Sequence, residues 1–155
     1  MTTFKRFEEM HAWQSARELV RLVYTATKQT DFSRDFALRD QIRRAAISVM
    51  SNIAEGFGTG TDADFVRFLG YARRSASEAQ SQLYAALDQN YISSEKFEEI
   101  RTKASITERQ INALIGYLAR SKREQTIKEE SVPYSLDVPD ETDLSDHKDL
   151  PDLLD

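Results

Sequence analysis

Apolar residues recur at steps of three and four through most of this chain, the spacing that lines one face of an α-helix. From about Phe7 to about Thr30, the residues Trp13, Ala16, Val20, Val23 and Thr27 form one such stripe, and Leu19, Leu22 and Ala26 widen it. The segment from Asp31 to Phe36 reads as a connection. A second stripe holds Leu38, Ile42, Ala45, Val49 and Ile53, with Ala46 beside it, and stops at Gly56. Glycine just past a helix end supplies the left-handed residue that closes the last turn. A third stripe runs from Phe65 through Phe68, Leu69, Ala72, Ala76, Ala79, Leu83, Ala86 and Leu87 to about Asn90. Its middle is alanine and serine with Gly70 nearby, which predicts close approach of a neighbouring helix. The fourth comprises Phe97, Ile100, Ala104, Ile111, Leu114, Ile115 and Leu118, and dissolves into charge near Lys122.

Local signals agree with these boundaries. Thr61 followed by Asp64 resembles a capping box, and Asp62 and Asp64 complement the dipole of the third helix. Ser93 or Ser94 caps the fourth. No stretch alternates with period two. The pattern predicts an all-α fold, an antiparallel up-down four-helix bundle, over residues 1–122. Gly56, Gly58 and Gly60 could suggest a phosphate-cradling loop. They follow a helix where nucleotide folds require a strand, and no Lys-Ser/Thr pair accompanies them, so hinge or cap is the better reading.

Charge divides the chain in two. Up to Lys122 there are 18 Lys and Arg against 15 Asp and Glu, whereas the remainder has 3 against 11. All three prolines, Pro133, Pro139 and Pro151, lie in that remainder. Residues 123–155 therefore read as an acidic, flexible tail attached to a mildly basic body. Leu136, Leu144, Leu150, Leu153 and Leu154 are interleaved with its acids. That composition also allows an autoinhibitory or interaction segment whose leucines dock in a groove. The chain has no cysteine, which excludes disulfides and thiol catalysis. No apolar run at the N-terminus resembles a secretory signal, and none is long enough to span a bilayer, so the expected location is cytoplasmic, away from membranes.

Candidate chemistry is sparse. Glu8 and His11 have the Glu-x-x-His spacing of di-iron bundles, but the only other histidine is His147 in the tail. Glu55 and Glu78 could form a carboxylate pair, with Arg44, Arg73 and Arg74 as neighbours that favour ion pairing instead. No Gly-x-Ser-x-Gly elbow is present. The expectation is a protein that is not an enzyme and carries no metal or cofactor. On the second helix Gln41, Arg44, Ser48, Asn52 and Glu55 share one polar face. With Glu78 they read either as a recognition surface or as a hydrogen-bonded network between helices or subunits. Arg39 and Arg43 on the second helix, and Arg67, Arg73 and Arg74 on the third, are candidate nucleic-acid contacts, because a planar guanidinium suits phosphate.

Phe7, Trp13, Ala16 and Leu19, the run from Gln41 to Ala46, Ser48, the run from Asn52 to Gly56, Phe65, Phe68, Leu69, Ser75, Glu78, Leu83, Tyr91 and Ile92 together form a recognisable signature. It resembles that of bacterial four-helix-bundle proteins encoded within intervening sequences of 23S ribosomal RNA genes, which also carry an S23 ribosomal protein label. The resemblance covers roughly residues 4 to 122. It implies a homo-oligomeric ring, with pentamers the expected state. The family is similar in turn to the accessory variability protein of diversity-generating retroelements, a pentameric bundle that binds nucleic acid and a reverse transcriptase. Met50 stands where the family usually has proline, Arg74 where glycine is common, and Thr59 where arginine is frequent. The reading is a non-enzymatic oligomeric adaptor associated with RNA or DNA. Its alternative is a protein-only scaffold that presents grooves to partner helices or tails.

Overall fold

Long amphipathic helices dominate the computed structural model, which describes residues 4–130. A 3-10 turn at Phe7–Glu9 precedes α1 (His11–Thr27), and a short α2 (Thr30–Arg34) leads into α3 (Phe36–Gly58). Then come α4 (Asp62–Asp88) and α5 (Ser94–Glu130). The four long helices pack in a closed cycle, α1 against α3, α3 against α4, α4 against α5 and α5 against α1. Side-chain pairs fix the directions. Gln41 meets Gln82 while Gly56 meets Phe65, so α3 and α4 are antiparallel. Arg73 reaches Asn112 and Ser77 reaches Glu108, which sets α4 against α5 in the same sense. The fold is the antiparallel all-α bundle expected from the periodicity.

Several boundaries differ from the expected ones. The first helix does not begin at Phe7. Met10 is extended and fully buried, and the chain turns there before α1 starts at His11. Thr30 opens α2 instead of ending α1, because Phe32 needs a helical turn to reach the core, where it is buried and stacks on Tyr91 at 5.2 Å. At its far end α5 continues eight residues past Lys122, since nothing in Arg123–Glu130 breaks a helix. Much of the acidic segment read as residues 123–155 lies outside the described residues, and so do its leucines and His147.

The core follows the apolar stripes with one rotation. In α1, Ala16, Leu19, Val23 and Ala26 are fully buried, whereas Trp13, Val20 and Leu22 lie at the margin. In α3 and α4, Ile42, Ala46, Val49, Ile53, Leu69, Ala72, Ala76 and Leu83 are buried as expected. Thr107 fills the step between Ala104 and Ile111 on α5, and its hydroxyl donates to the Lys103 carbonyl at 2.8 Å. That local bond lets a hydroxyl occupy a core position.

Gly56 is not the cap that its position suggested. It lies inside α3, which runs on through Gly58 to a cap at Thr59. A Cβ at Gly56 would stand 2.7 Å from the Phe68 Cβ and 2.9 Å from the Phe65 ring. Glycine is required there because α4 crosses too closely for any side chain. Gly70, by contrast, has no atom of another element within 4 Å of where its Cβ would be. The close packing expected of the alanine and serine positions is seen at buried Ala72, Ala76 and Ala79 and in the Ser48–Ser75 contact. The left-handed residues are Gly60 and Asn90. Asn90 closes α4 in a Schellman arrangement, with Tyr91 N donating to the Ala86 carbonyl and Asn90 N to that of Leu87. Thr61 and Ser93 cap α4 and α5 by accepting from Asp64 N and Lys96 N.

The Schellman turn delivers Tyr91 to the α2–α3 joint. Its hydroxyl donates to Asp35 Oδ2 at 3.1 Å, while Asp35 Oδ1 accepts from Leu38 N and caps α3. Partial burial, and then the bond to Asp35 with the nearby charge of Asp31, hold the Tyr91 phenol above its ordinary value of 10.0.

Both features can be tested by substitution. At matched protein concentration, Gly56→Ala should lower unfolding free energy by about 1–2 kcal/mol, the overpacking cost exceeding the gain in helix propensity. Gly70→Ala should raise it by up to about 1 kcal/mol. Denaturant titration that found Gly56→Ala as stable as the parent would refute the close crossing. Because the Tyr91 shift is upward, its stabilisation is complete below pH 10 and is lost as pH rises through the raised value. Tyr91→Phe should therefore be less stable than the parent at neutral pH, with the gap narrowing in alkaline melts.

Candidate nucleic-acid interface

The five arginines selected as nucleic-acid contacts do not form one patch. Arg39 and Arg43 sit near the start of α3, and Arg67 sits near the start of the antiparallel α4, about 25 Å away along the bundle at 1.5 Å per residue. Arg39 is engaged locally. Its Nε donates to Asp40 at 2.9 Å, its Nη1 to the Ser33 carbonyl at 3.0 Å, and its guanidinium lies 4.7 Å from the Phe36 ring centre. Arg43 is held against α1 by Thr27 Oγ1 at 2.8 Å and by the Tyr24 ring at 4.5 Å. Arg73 donates to Asn112 Oδ1 at 3.1 Å, tying α4 to α5.

What remains outward on α4 is a row. Arg67 lies over the Phe68 ring at 5.5 Å, Phe68 meets Tyr71 edge to face at 5.7 Å, and Arg74 lies over Tyr71 at 4.9 Å. Positions 67, 71 and 74 are four and three apart, so they share a helix face. Arg67, Tyr71 and Arg74 are exposed, and Tyr71 retains 38% of its surface. Arg67 also pairs with Asp64 at 3.0 Å, a solvent-exposed contact of small energetic weight. A guanidinium stacked on a ring keeps its N–H edge outward for an anion. Sequence reasoning selected the arginines and missed the aromatics between them, although the spacing of Phe68, Tyr71 and Arg74 carried the signal.

The polar stripe of α3 reaches α4 at two of its positions, Ser48 and Gln41. Ser48 Oγ and Ser75 Oγ are 2.8 Å apart across the α3–α4 crossing, and Asn52 Nδ2 donates to both the carbonyl and the hydroxyl of Ser48. One turn pair further along, Gln82 Nε2 donates to Glu78 Oε1 at 3.1 Å and approaches Gln41 Oε1 at 3.5 Å. Ser48 with Ser75 and Gln41 with Gln82 are thus the contacts between the two helices, while Asn52 and Glu78 support them from within their own helices. Arg44 and Glu55 stand apart. Arg44 donates to the Asp40 carbonyl at 3.3 Å, and Glu55 is exposed with no bonded partner among the described residues.

His11 is exposed at the start of α1, on the rim of a groove of about 330 Å³ walled by Phe4, Met10, Ala12, Leu114 and Tyr117. Among the described residues no group of three or more His, Asp or Glu side chains is placed to hold a metal ion. No described helix is long and apolar enough to cross a membrane.

A sequence model of the 23S rRNA-intervening sequence proteins matches residues 8–113, from the 3-10 turn into α5, and so contains the α4 row and the polar contacts. No curated protein matches the chain. Among solved structures, a protein of unknown function from the S23 ribosomal protein family of Bacteroides thetaiotaomicron VPI-5482, determined at 1.70 Å, is similar to it. The two share 25% identity and superpose with a TM-score of 0.62 over 67% of this chain and 97% of that one. With the matched model spanning more than half of its length, this chain belongs to the 23S rRNA-intervening sequence protein family.

Proposed function

We propose that the protein is a non-enzymatic, homo-oligomeric adaptor that contacts RNA through the outward row on α4. The observation that carries this reading is the alternation of Arg67, Phe68, Tyr71 and Arg74, in which cations and rings support one another on an exposed face. Arginines of this kind neutralise phosphates, and an exposed tyrosine offers a stacking platform to an unpaired base. Single-stranded RNA is the form that this combination suits, since its bases are free to stack. Membership of a family encoded beside ribosomal RNA supports the choice of RNA over DNA.

An adaptor role is favoured over catalysis by the fate of the polar residues. Ser48 and Ser75 bond across the α3–α4 crossing, and Asn52 donates to Ser48 from its own helix, so these polar groups are engaged in holding the crossing. Assembly into a ring, with five subunits implied by the family resemblance, would repeat the α4 row and multiply its field. Several weak contacts then act together.

The groove beside His11 favours a second reading, a scaffold for protein partners. Its walls are largely apolar, with Gln110 among the lining residues. A partner supplying an apolar anchor would fit.

Salt dependence separates the two readings, because phosphate contacts release counterions. RNA affinity should fall steeply as salt rises. Arg67→Ala with Arg74→Ala should weaken binding and flatten the slope by about one unit for each phosphate no longer neutralised. Assembly, measured by light scattering, should be unchanged. Arg73 is a poorer probe, since its removal also breaks the bond to Asn112. RNA binding that is absent at low salt, or untouched by the double substitution, would discard the α4 row.

A further inference from the structure

A second cationic feature lies between α1 and α3, away from the α4 row. Asp40, Arg43, Arg44 and Ile47 occupy successive positions of one α3 face, three, four and seven residues on from Asp40, and Tyr24 of α1 stands opposite. Together they line a depression of about 400 Å³. We propose that this depression binds a phosphate monoester, clasped between the guanidinium groups of Arg43 and Arg44.

The Arg43 side chain is set in place before any ligand arrives. Its Nε donates to Thr27 Oγ1 at 2.8 Å, and Thr27 is wholly buried, its own hydroxyl donating to the Val23 carbonyl at 2.8 Å. The Tyr24 ring lies under the guanidinium at 4.5 Å. Arg44 is likewise held through Nε, by the Asp40 carbonyl at 3.3 Å. Neither arginine's terminal nitrogens make a hydrogen bond among the described residues. Arg43 is thus oriented from behind, so a ligand need not freeze that long side chain, and the terminal edges of both guanidiniums are unused.

Among the described residues the local charge is not compensated. Asp40 is the one acid of these that lines the depression, and its carboxylate is bonded to Arg39 Nε at 2.9 Å. Arg39 is itself anchored to the Ser33 carbonyl. Three cations against one carboxylate leave a surplus of two positive charges, and neighbouring guanidiniums repel unless an anion lies between them. A phosphate monoester brings up to two negative charges and three acceptor oxygens at neutral pH. A phosphodiester brings one charge and two free oxygens, too few for two forks. The monoester is the better match in both charge and donor count, and it can come from free phosphate, a mononucleotide or the phosphorylated end of an RNA.

The test uses the full chain in phosphate-free buffer, with calorimetry against inorganic phosphate and against a mononucleotide. A pair of short RNA oligonucleotides, identical except for a 5′-phosphate or a 5′-hydroxyl, provides a third arm. Arg44→Ala is the informative variant, because Arg44 is exposed and circular dichroism can verify that the bundle persists. The parent should bind at least one monoester, tightening as pH rises through about 6, the second phosphate pKa. Arg44→Ala should weaken that binding by about tenfold or more, and Arg44→Lys should recover part of it. If the source is an RNA end, the phosphorylated oligonucleotide should outbind its twin with the parent and not with Arg44→Ala. If phosphate or mononucleotide binds and the twins are equal, the site stands with a small ligand. Monoester binding that is undetectable, or identical in parent and Arg44→Ala, overturns it. The 5′-hydroxyl oligonucleotide reports separately on RNA contact by α4, so the two proposals can fail independently.

Discussion

Between α3 and α4 the backbones come so close that Gly56 has no room for a methyl group, and the rest of the bundle is arranged around that crossing. Small side chains extend the contact along α4, where Ala72, Ala76 and Ala79 are buried with almost no exposed surface. Two serines can bond directly across it because both side chains are short and the helices are near. Such packing leaves α4 little freedom to rotate about its axis, since a small turn would drive Phe65 or Phe68 into α3. The outward direction of Tyr71 and Arg74 is therefore a consequence of the inward packing of Leu69, Ala72 and Ala76. The candidate RNA surface inherits its geometry from a steric constraint on its opposite face.

A second constraint operates at the other end of the bundle. Asp35 accepts from Leu38 N with one oxygen and from the Tyr91 hydroxyl with the other, so one carboxylate caps α3 and ties down the turn between α4 and α5. Phe32 stacks on the same tyrosine and carries α2 into the core. The Ser33 carbonyl then receives Arg39, and Thr27 at the end of α1 receives Arg43. These bonds fix the directions of Arg39 and Arg43, which α3 carries beside Asp40 and Arg44.

The two cationic features differ in kind. On α4, guanidiniums and rings alternate on an exposed helix face, which suits an extended chain with several phosphates and unpaired bases. Between α1 and α3, two anchored guanidiniums border one depression, which suits a single concentrated charge. The matched family model covers residues 8–113, a span that includes both.

Periodicity alone determined the fold class, the four long helices and nearly all of the core, because burial of an apolar stripe is imposed residue by residue along each helix. The caps at Thr61 and Ser93 were equally readable, being local bonds over three residues. Motif residues also sufficed to indicate the family. Where the chain breaks at Met10, and why Phe32 belongs to a helix, depended on packing from elsewhere in the chain. The same holds for Gly56, which local reasoning made a helix end and which contact with α4 makes a crossing point. Arg73 and Arg74 are adjacent in sequence, yet one binds Asn112 on α5 and the other stacks on Tyr71. No spacing rule distinguishes them, because which arginine is taken inward depends on what the neighbouring helix presents. Sequence supplied the cations; the tertiary structure decided which of them are free to meet a ligand, since only a folded neighbour can occupy a hydrogen-bonding edge.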